Sequence, residues 1–394
     1  SSAASDVYKR QFIMGNEKSS LIIKAPAKNE KLYSVEFLRF IFACVIVYFH
    51  FLHTNIMNYT GGSAFYQKLA DNCSGDKLVE CFFILSGFFL FFTLKKHKDM
   101  SFGRFVYSKV SRLWPVLFFV VAVETIFFNR GVYNGFFNAL FLQCIGLTTE
   151  YKGINWYVSP LFWSLLFYFG LHKLVKKEKN FCFFVALISY FGYVVIFNSE
   201  EGVLGRDIVF GFLSTALFRS LAGMGIGYLV AAVVTGLKEN GVESRVRQSK
   251  LGNVLFTVCV SFAEIASLVL IFLNCFSEKL KCKNDLFVVI VFAVLLISLS
   301  FKCGLVSRII NNRFFGFFGR YSYSIYLIQQ TVMWTLQKTL WQNSSFVQDH
   351  ALRCLALSLV IVVIAGIAVY YIVEMPSAKL FKMMEKKLFV TKEK

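Results

Sequence analysis

Apolar residues run through this chain in long blocks, separated by short polar segments rich in lysine and arginine. The blocks occupy residues 33–53, 78–94, 112–128, 155–172, 181–197, 208–236, 251–274, 286–301, 317–340 and 353–373. About 20 consecutive apolar residues, wound as a helix, match the hydrocarbon thickness of a bilayer. The pattern therefore predicts an all-α polytopic membrane protein with ten transmembrane helices. An eleventh block at 133–147, YNGFFNALFLQCIGL, is 15 residues long and short for a crossing.

Whether 133–147 crosses sets the orientation of everything after it, and charge decides between the two topologies. If it does not cross and the N-terminus is cytoplasmic, the inside segments carry 28 lysines and arginines and the outside loops carry 8. A crossing at 133–147 would place KLVKKEK and the Lys-rich C-terminal tail outside, against the rule that basic residues stay on the cytoplasmic side. Both termini are thus expected to be cytoplasmic, with 133–147 a re-entrant or interfacial segment on the outer side. No cleavable signal peptide is visible, so the first apolar block is expected to direct insertion.

Composition agrees with this class. Of 394 residues, 57% are hydrophobic and 16% charged, with 47 Phe and 4 Pro, where a globular chain carries about a quarter charged residues. The net charge of +19 invites a nucleic-acid reading. The basic residues, however, sit in blocks between apolar runs rather than among stacking aromatics on a soluble domain, as single-strand binders need. The expected partner of that charge is membrane lipid, with no nucleic acid. The ten cysteines form no CxxC pair and no metal-ligand spacing, so no metal is expected. Six of them lie in the apolar runs. Cys275 and Cys282 share a loop and would pair if it faced an oxidising compartment, while Cys73 has no evident mate.

Residues 1–13 are polar, precede Met14 and fit nothing that follows; they are set apart as a non-native or read-through remnant. Residues 14–31 form a cytoplasmic arm, 32–376 a single transmembrane domain, and 377–394 a basic cytoplasmic tail. No internal repeat of the kind that marks many transporters is apparent.

The polar residues inside or beside the apolar runs are the candidates for chemistry, because ionisable groups are costly in hydrocarbon. The first block reads EFLRFIFACVIVYFH over 36–50. Eleven helical residues close about three turns, so Arg39 and His50 share a face about 16 Å apart. Glu36 can pair with Arg39 one turn away. The bland reading is a structural ion pair and an interfacial histidine; the functional one makes His50 a general base. His53 reads as an interfacial anchor. In VECFFILSGFF, Ser86-Gly87 reads first as a helix-packing step, and Glu80 as either substrate-facing or solvated. Arg104, Lys109 and Arg112, just before Pro115, suit phosphate groups, whether of a ligand or of lipid. The aromatics of NWYVS (155–159) are an interfacial belt or a sugar-stacking platform. Further along, FGRYSYSIYLIQQ gathers Tyr321, Ser322, Tyr323, Ser324 and Tyr326, and EMP places Glu374 before a proline. Glu124 and Glu264 lie within runs, with no partner that can be named from sequence.

In order along residues 31–380, these stretches resemble the acyltransferase-3 family, membrane O-acyltransferases of bacterial surface glycans. The resemblance rests on Arg39 and His50 with ten residues between them and Glu36 before them, on VECFFILSGF, SRLWP, NWYVS and FGRYSYSIYLI, and on EMP. Three positions depart from the family pattern. Lys109 stands for an arginine, Phe37 for a glycine, and Gln329 for a histidine. The resemblance implies transfer of an acyl group, usually acetyl, from acetyl-CoA to a hydroxyl of an extracytoplasmic or lipid-linked glycan, in a bacterial inner membrane. Acyl-CoA is a co-substrate and no bound cofactor is implied. On that reading His50, Arg39 and Glu36 are the catalytic candidates and Arg104, Lys109 and Arg112 the donor-binding ones. Glu80, Ser86, Trp156, Tyr157, Tyr321, Ser322, Tyr326 and Glu374 are pocket or acceptor candidates. His50 would be general base or transient acyl carrier. The alternatives are a transporter or flippase for a lipid-linked sugar, and an acyl-donating half that works with a separate extracytoplasmic transferase.

Overall fold

The apolar run that opens the domain folds as helix α1, Tyr33–His50, with Glu36 in its first turn, where a carboxylate favours the helix dipole. The computed structural model describes residues 31–56, 64–143, 153–199, 208–211, 213–277, 286–342 and 344–390. Within it, Tyr33 onward forms one compact unit. After α1 come α2 (Ala64–Asn72), α3 (Leu78–Lys96), α4 (Phe102–Phe127), α5 (Val132–Ala139), α6 (Val158–Leu174), α7 (Glu178–Phe197), α8 (Thr215–Glu239) and α9 (Lys250–Phe276). Next are α10 (Leu286–Ser300), the short α11 (Leu305–Ile310) and α12 (Arg313–Phe318), then α13 (Ser322–Lys338), α14 (Ala351–Val369) and α15 (Met375–Glu385).

The protein is an all-α polytopic membrane protein. Seven helical stretches among the described residues are long and apolar enough to cross a bilayer: Tyr33–His53, Ala64–Lys96, Phe102–Phe127, Glu178–Phe197, Thr215–Glu239, Lys250–Phe276 and Ala351–Phe389. The other three predicted crossings fold as helices of 17, 15 and 17 residues (α6, α10 and α13). At about 1.5 Å per residue these are roughly 22–26 Å long. One predicted crossing begins later than its apolar run: Ile208–Val209 and Leu213–Ser214 pair as a two-stranded ribbon, and α8 starts at Thr215. There Ser214 caps the helix by accepting the amide of Ala216.

The 133–147 block folds over its described part as α5, 8 residues long, or about 12 Å. It runs back alongside α4. The Trp114 indole donates to the Ala139 carbonyl at 3.0 Å, although Trp114 lies about 20 Å along α4 from Phe128. The Phe141 carbonyl then accepts from Ser159 and Trp163 of α6, at 2.6 and 2.8 Å. The described part of this segment thus packs alongside α4 and against the start of α6. Residues 144–147 lie outside the described residues, as does Cys282. Cys275 is buried as a free thiol.

Two helices meet backbone to backbone. A Cβ added to Gly87 of α3 would fall inside the Met224 carbonyl of α8, and one added to Gly227 would fall inside the Ile84 carbonyl of α3. Small residues at such a crossing replace the hydrophobic driving force that lipid does not supply. Gly87 is therefore the packing step expected of the Ser-Gly pair.

The buried acids inside the runs have partners. Glu124 of α4 forms an ion pair with Arg130 and accepts from the Thr331 hydroxyl at 3.2 Å. Glu264, midway along α9, receives the amides of Val306 and Ser307 at 2.9 and 3.1 Å and so caps the N-terminus of α11.

Candidate functional site

Five helices and one turn converge on a cavity of about 140 Å³. α1 contributes Arg39. α3 lays Phe82, Leu85, Ser86, Phe89, Leu90 and Thr93 along it, and α4 contributes Lys109, Arg112 and Leu113. Tyr157, Leu161 and Leu165 close one side, and Ser322, Tyr323 and Tyr326 of α13 the other. The helical period explains which side chains arrive. Phe82, Leu85, Ser86 and Phe89 follow the three- and four-residue spacing of one helix face, and Lys109 and Arg112 are one turn apart.

The wall is apolar with a cationic end. Arg39 donates to Glu36 at 3.0 Å, both half-buried. Lys109 rests over the Phe105 ring with its ammonium 4.7 Å from the centroid. Arg112 is exposed into the cavity. Among the described residues neither Lys109 nor Arg112 has a carboxylate partner. Three cations thus face one apolar-walled space, with Glu36 paired to Arg39 and Glu374 within electrostatic reach of Arg39 and Arg112. Three cations against two nearby carboxylates leave an excess of positive charge, an anion-binding arrangement.

The polar wall residues are pinned by the backbone. Ser86 donates its hydroxyl to the Phe82 carbonyl at 2.8 Å and Ser322 to Gly319 at 2.8 Å. Tyr323 donates to Leu113 at 2.6 Å and Tyr326 to Ile154 at 3.0 Å. Pinning holds these rings in place and leaves the cationic side chains as the groups free to meet a ligand.

Of the residues expected from sequence, Arg39, Ser86, Lys109, Arg112, Tyr157, Ser322 and Tyr326 meet at this cavity, and the others lie elsewhere. His50 closes α1, half-buried, with its ring 5.2 Å from that of Phe49. It stands eleven residues, about 16 Å, from Arg39, and is not part of the wall. His53 bonds the Phe49 carbonyl at 3.0 Å. Arg104 pairs with Glu385 of α15 at 2.9 Å. Glu374 accepts the Ser324 hydroxyl at 2.6 Å, and the Tyr321 and Tyr371 hydroxyls meet at 3.0 Å. Gln329, where the family often carries a histidine, is buried and donates to the Tyr326 carbonyl at 2.8 Å.

Glu80 and Trp156 are joined by a residue that pattern reading passed over. Arg219 of α8 donates to the Glu80 carboxylate through Nε at 2.8 Å and a terminal nitrogen at 2.6 Å. The side chains of Glu80 and Arg219 are 0% and 2% exposed, and the guanidinium lies over the Trp156 ring, 4.9 Å from its centroid. The available signal was an arginine inside the apolar run 208–236.

Comparison with curated proteins and with solved structures returned no match. Comparison with protein families did: the acyltransferase domain family matches residues 32–373. That range includes every wall residue of the cavity together with His50, and it covers most of the compact unit that begins at Tyr33. The chain belongs to the acyltransferase-3 family of membrane acyltransferases.

Proposed function

We propose that this protein moves an acyl group, acetyl in the first instance, from acyl-CoA to a hydroxyl of an extracytoplasmic or lipid-linked glycan. The observation that carries the reading is the cavity with Arg39, Lys109 and Arg112 at one end and an apolar α3–α6 wall along its length. A CoA thioester has this polarity, anionic phosphates at one end and an uncharged arm and acyl group at the other. Lys109 and Arg112 would take phosphate, the arginine through a planar fork and the lysine as a point charge. Arg39, held by Glu36, would stand nearest the thioester carbonyl, where charge grows in the transition state.

In the transfer, the acceptor oxygen attacks the thioester carbonyl. A carbon–oxygen bond forms, the carbon–sulfur bond breaks, the hydroxyl proton passes to a base and the thiolate leaves with CoA. His50 is our choice of base toward the acceptor. Because His50 is about 16 Å from Arg39 along one helix, a single carbonyl cannot touch both. Either the acyl group travels along α1 between them, with His50 as transient carrier, or the helix slides relative to its neighbours. The topology that serves this route has ten crossings and both termini cytoplasmic, in a bacterial inner membrane. The donor then enters at the Lys109–Arg112 end and the acceptor at the His50 end.

The test is transfer of labelled acetyl from acetyl-CoA to native surface glycan in membranes, for wild type and for His50→Ala at equal folded protein. Label on the glycan with wild type and none with the variant supports the reading. Equal label from both removes His50 from the chemistry. Movement of a lipid-linked sugar without any label would replace the reading with a transporter, and label that reaches glycan only when a second, soluble protein is added would make this chain the donating half.

A further inference from the structure

The donor cavity has a wall, Tyr157, that belongs to no long helix. Tyr157 ends a short turn, Ile154–Tyr157, between segments outside the described residues and the start of α6. Side chains on both sides fix the turn against its neighbours. On one side the Tyr326 hydroxyl bonds the Ile154 carbonyl, and the Ile154 amide donates to Gln330 at 2.8 Å. On the other, Tyr157 packs on Phe83 of α3 with ring centroids 4.6 Å apart, and Trp156 lies 6.3 Å from the same ring.

Phe83 is one helical turn from Glu80, and Glu80 is where Arg219 is held. The two donor nitrogens of Arg219 converge on a single carboxylate oxygen, which fixes the plane of the guanidinium. That plane covers the Trp156 ring. The neighbouring α8 residue one turn on, Gly223, lets α8 approach Phe83 closely. An ion pair sealed from solvent between two membrane helices is expensive to build and is weak evidence for stability by itself. Its geometry, though, is specific: carboxylate, guanidinium and indole are stacked in a row that ends on the residue before Tyr157.

We infer that Glu80 and Arg219 are positioning residues for acyl transfer: the pair clamps Trp156 and thereby sets Tyr157 in the wall of the donor cavity. The inference rests on the donor-cavity reading above. It also assigns Trp156 a different task from carbohydrate stacking, since the face Arg219 covers is not open to a sugar. The clamp acts on donor binding and on the placement of the thioester, not on proton transfer.

Two variants separate a clamp from mere charge balance. Arg219→Lys keeps the charge beside Glu80 but loses the flat face and the forked donors. The double variant Glu80→Met with Arg219→Met removes both charges together, a replacement that buried ion pairs often tolerate in folding. Each is purified beside wild type, its thermal midpoint measured, and acetyl transfer followed against acetyl-CoA concentration. The clamp predicts that Arg219→Lys folds and loses about tenfold or more in kcat/KM for the donor, mostly through KM, and that the double variant matches it. A purely structural pair predicts kinetics within about twofold of wild type for every variant that folds, and that result overturns the inference. If Arg219→Lys does not fold, the double variant carries the same decision. If both fail to fold, the pair is a folding element and the inference falls. Transfer absent from the wild type is a separate failure: it removes the donor-cavity reading, and the clamp with it.

Discussion

Replacing Arg112 by glutamine is the sharpest probe of the cavity. The side chain reaches into the space that Arg39 and Lys109 also face, and among the described residues it has no ion pair or hydrogen bond. A hydrogen bond to a charged group is worth about 1.5–3 kcal/mol. At about 1.4 kcal/mol per tenfold, loss of one such bond to a donor phosphate raises the acetyl-CoA KM by roughly 10- to 150-fold. Because the phosphates sit far from the reacting carbonyl, the interaction is similar in ground and transition states and kcat should change little. Stability should stay within about 0.5 kcal/mol, since no direct ion pair or hydrogen bond is lost. The contrast is Glu80→Gln, which leaves a buried arginine unmatched, a loss of about 3–5 kcal/mol. The assay is donor-dependent acetyl transfer by purified protein in lipid, with thermal unfolding of the same preparation. Transfer with an unchanged donor KM would refute phosphate binding at Arg112. A collapse in thermal midpoint would make it a structural residue instead.

Three further outcomes follow from the packing. Gly87→Ala drives a methyl into the Met224 carbonyl, so α3 and α8 must part; overpacking costs about 1–3 kcal/mol, and a thermal midpoint equal to wild type would contradict the close approach. Glu124→Gln breaks a buried pair with Arg130 and should cost about 3–5 kcal/mol, whereas Glu124→Leu with Arg130→Met should restore most of it; failure of the double variant to recover would mean the pair does more than balance charge. Glu264→Ala strips two amides of α11 of their acceptor, a capping loss of about 1–2 kcal/mol that Glu264→Gln should largely spare, and equal midpoints for the two variants would rule out the cap.

Pattern reading went furthest where a single helix determines the outcome. The face shared by Arg39 and Glu36 follows from helical spacing, and their 3.0 Å pair was legible in EFLR. Lys109 and Arg112 are likewise one turn apart, and both reach the cavity. Reading failed where the partner comes from another helix. Glu80 and Trp156 were read as pocket or acceptor candidates with no partner named, and the structure places them against Arg219, 139 residues from Glu80. Arg104 looks like the companion of Lys109 and Arg112, but it points the other way along α4, to Glu385. The start of α8 was also misplaced, because a two-residue ribbon is too short to break an apolar run visibly.

Hydropathy by itself determined that the chain is a bundle of apolar helices, because burying unpaired backbone in hydrocarbon leaves helices as the solution for runs of this length. The ordered motifs determined the family, and the basic blocks supplied an orientation to propose. Tertiary structure alone decided which charges are spent on one another and which are left for a ligand. Glu124 took Arg130, Glu80 took Arg219 and Glu264 took a helix end, while Lys109 and Arg112 were left facing an apolar space. The reason is physical: in a medium that solvates no ion, a charged residue's role is set by its nearest opposite charge, and between helices that neighbour is chosen by packing rather than by position in the chain.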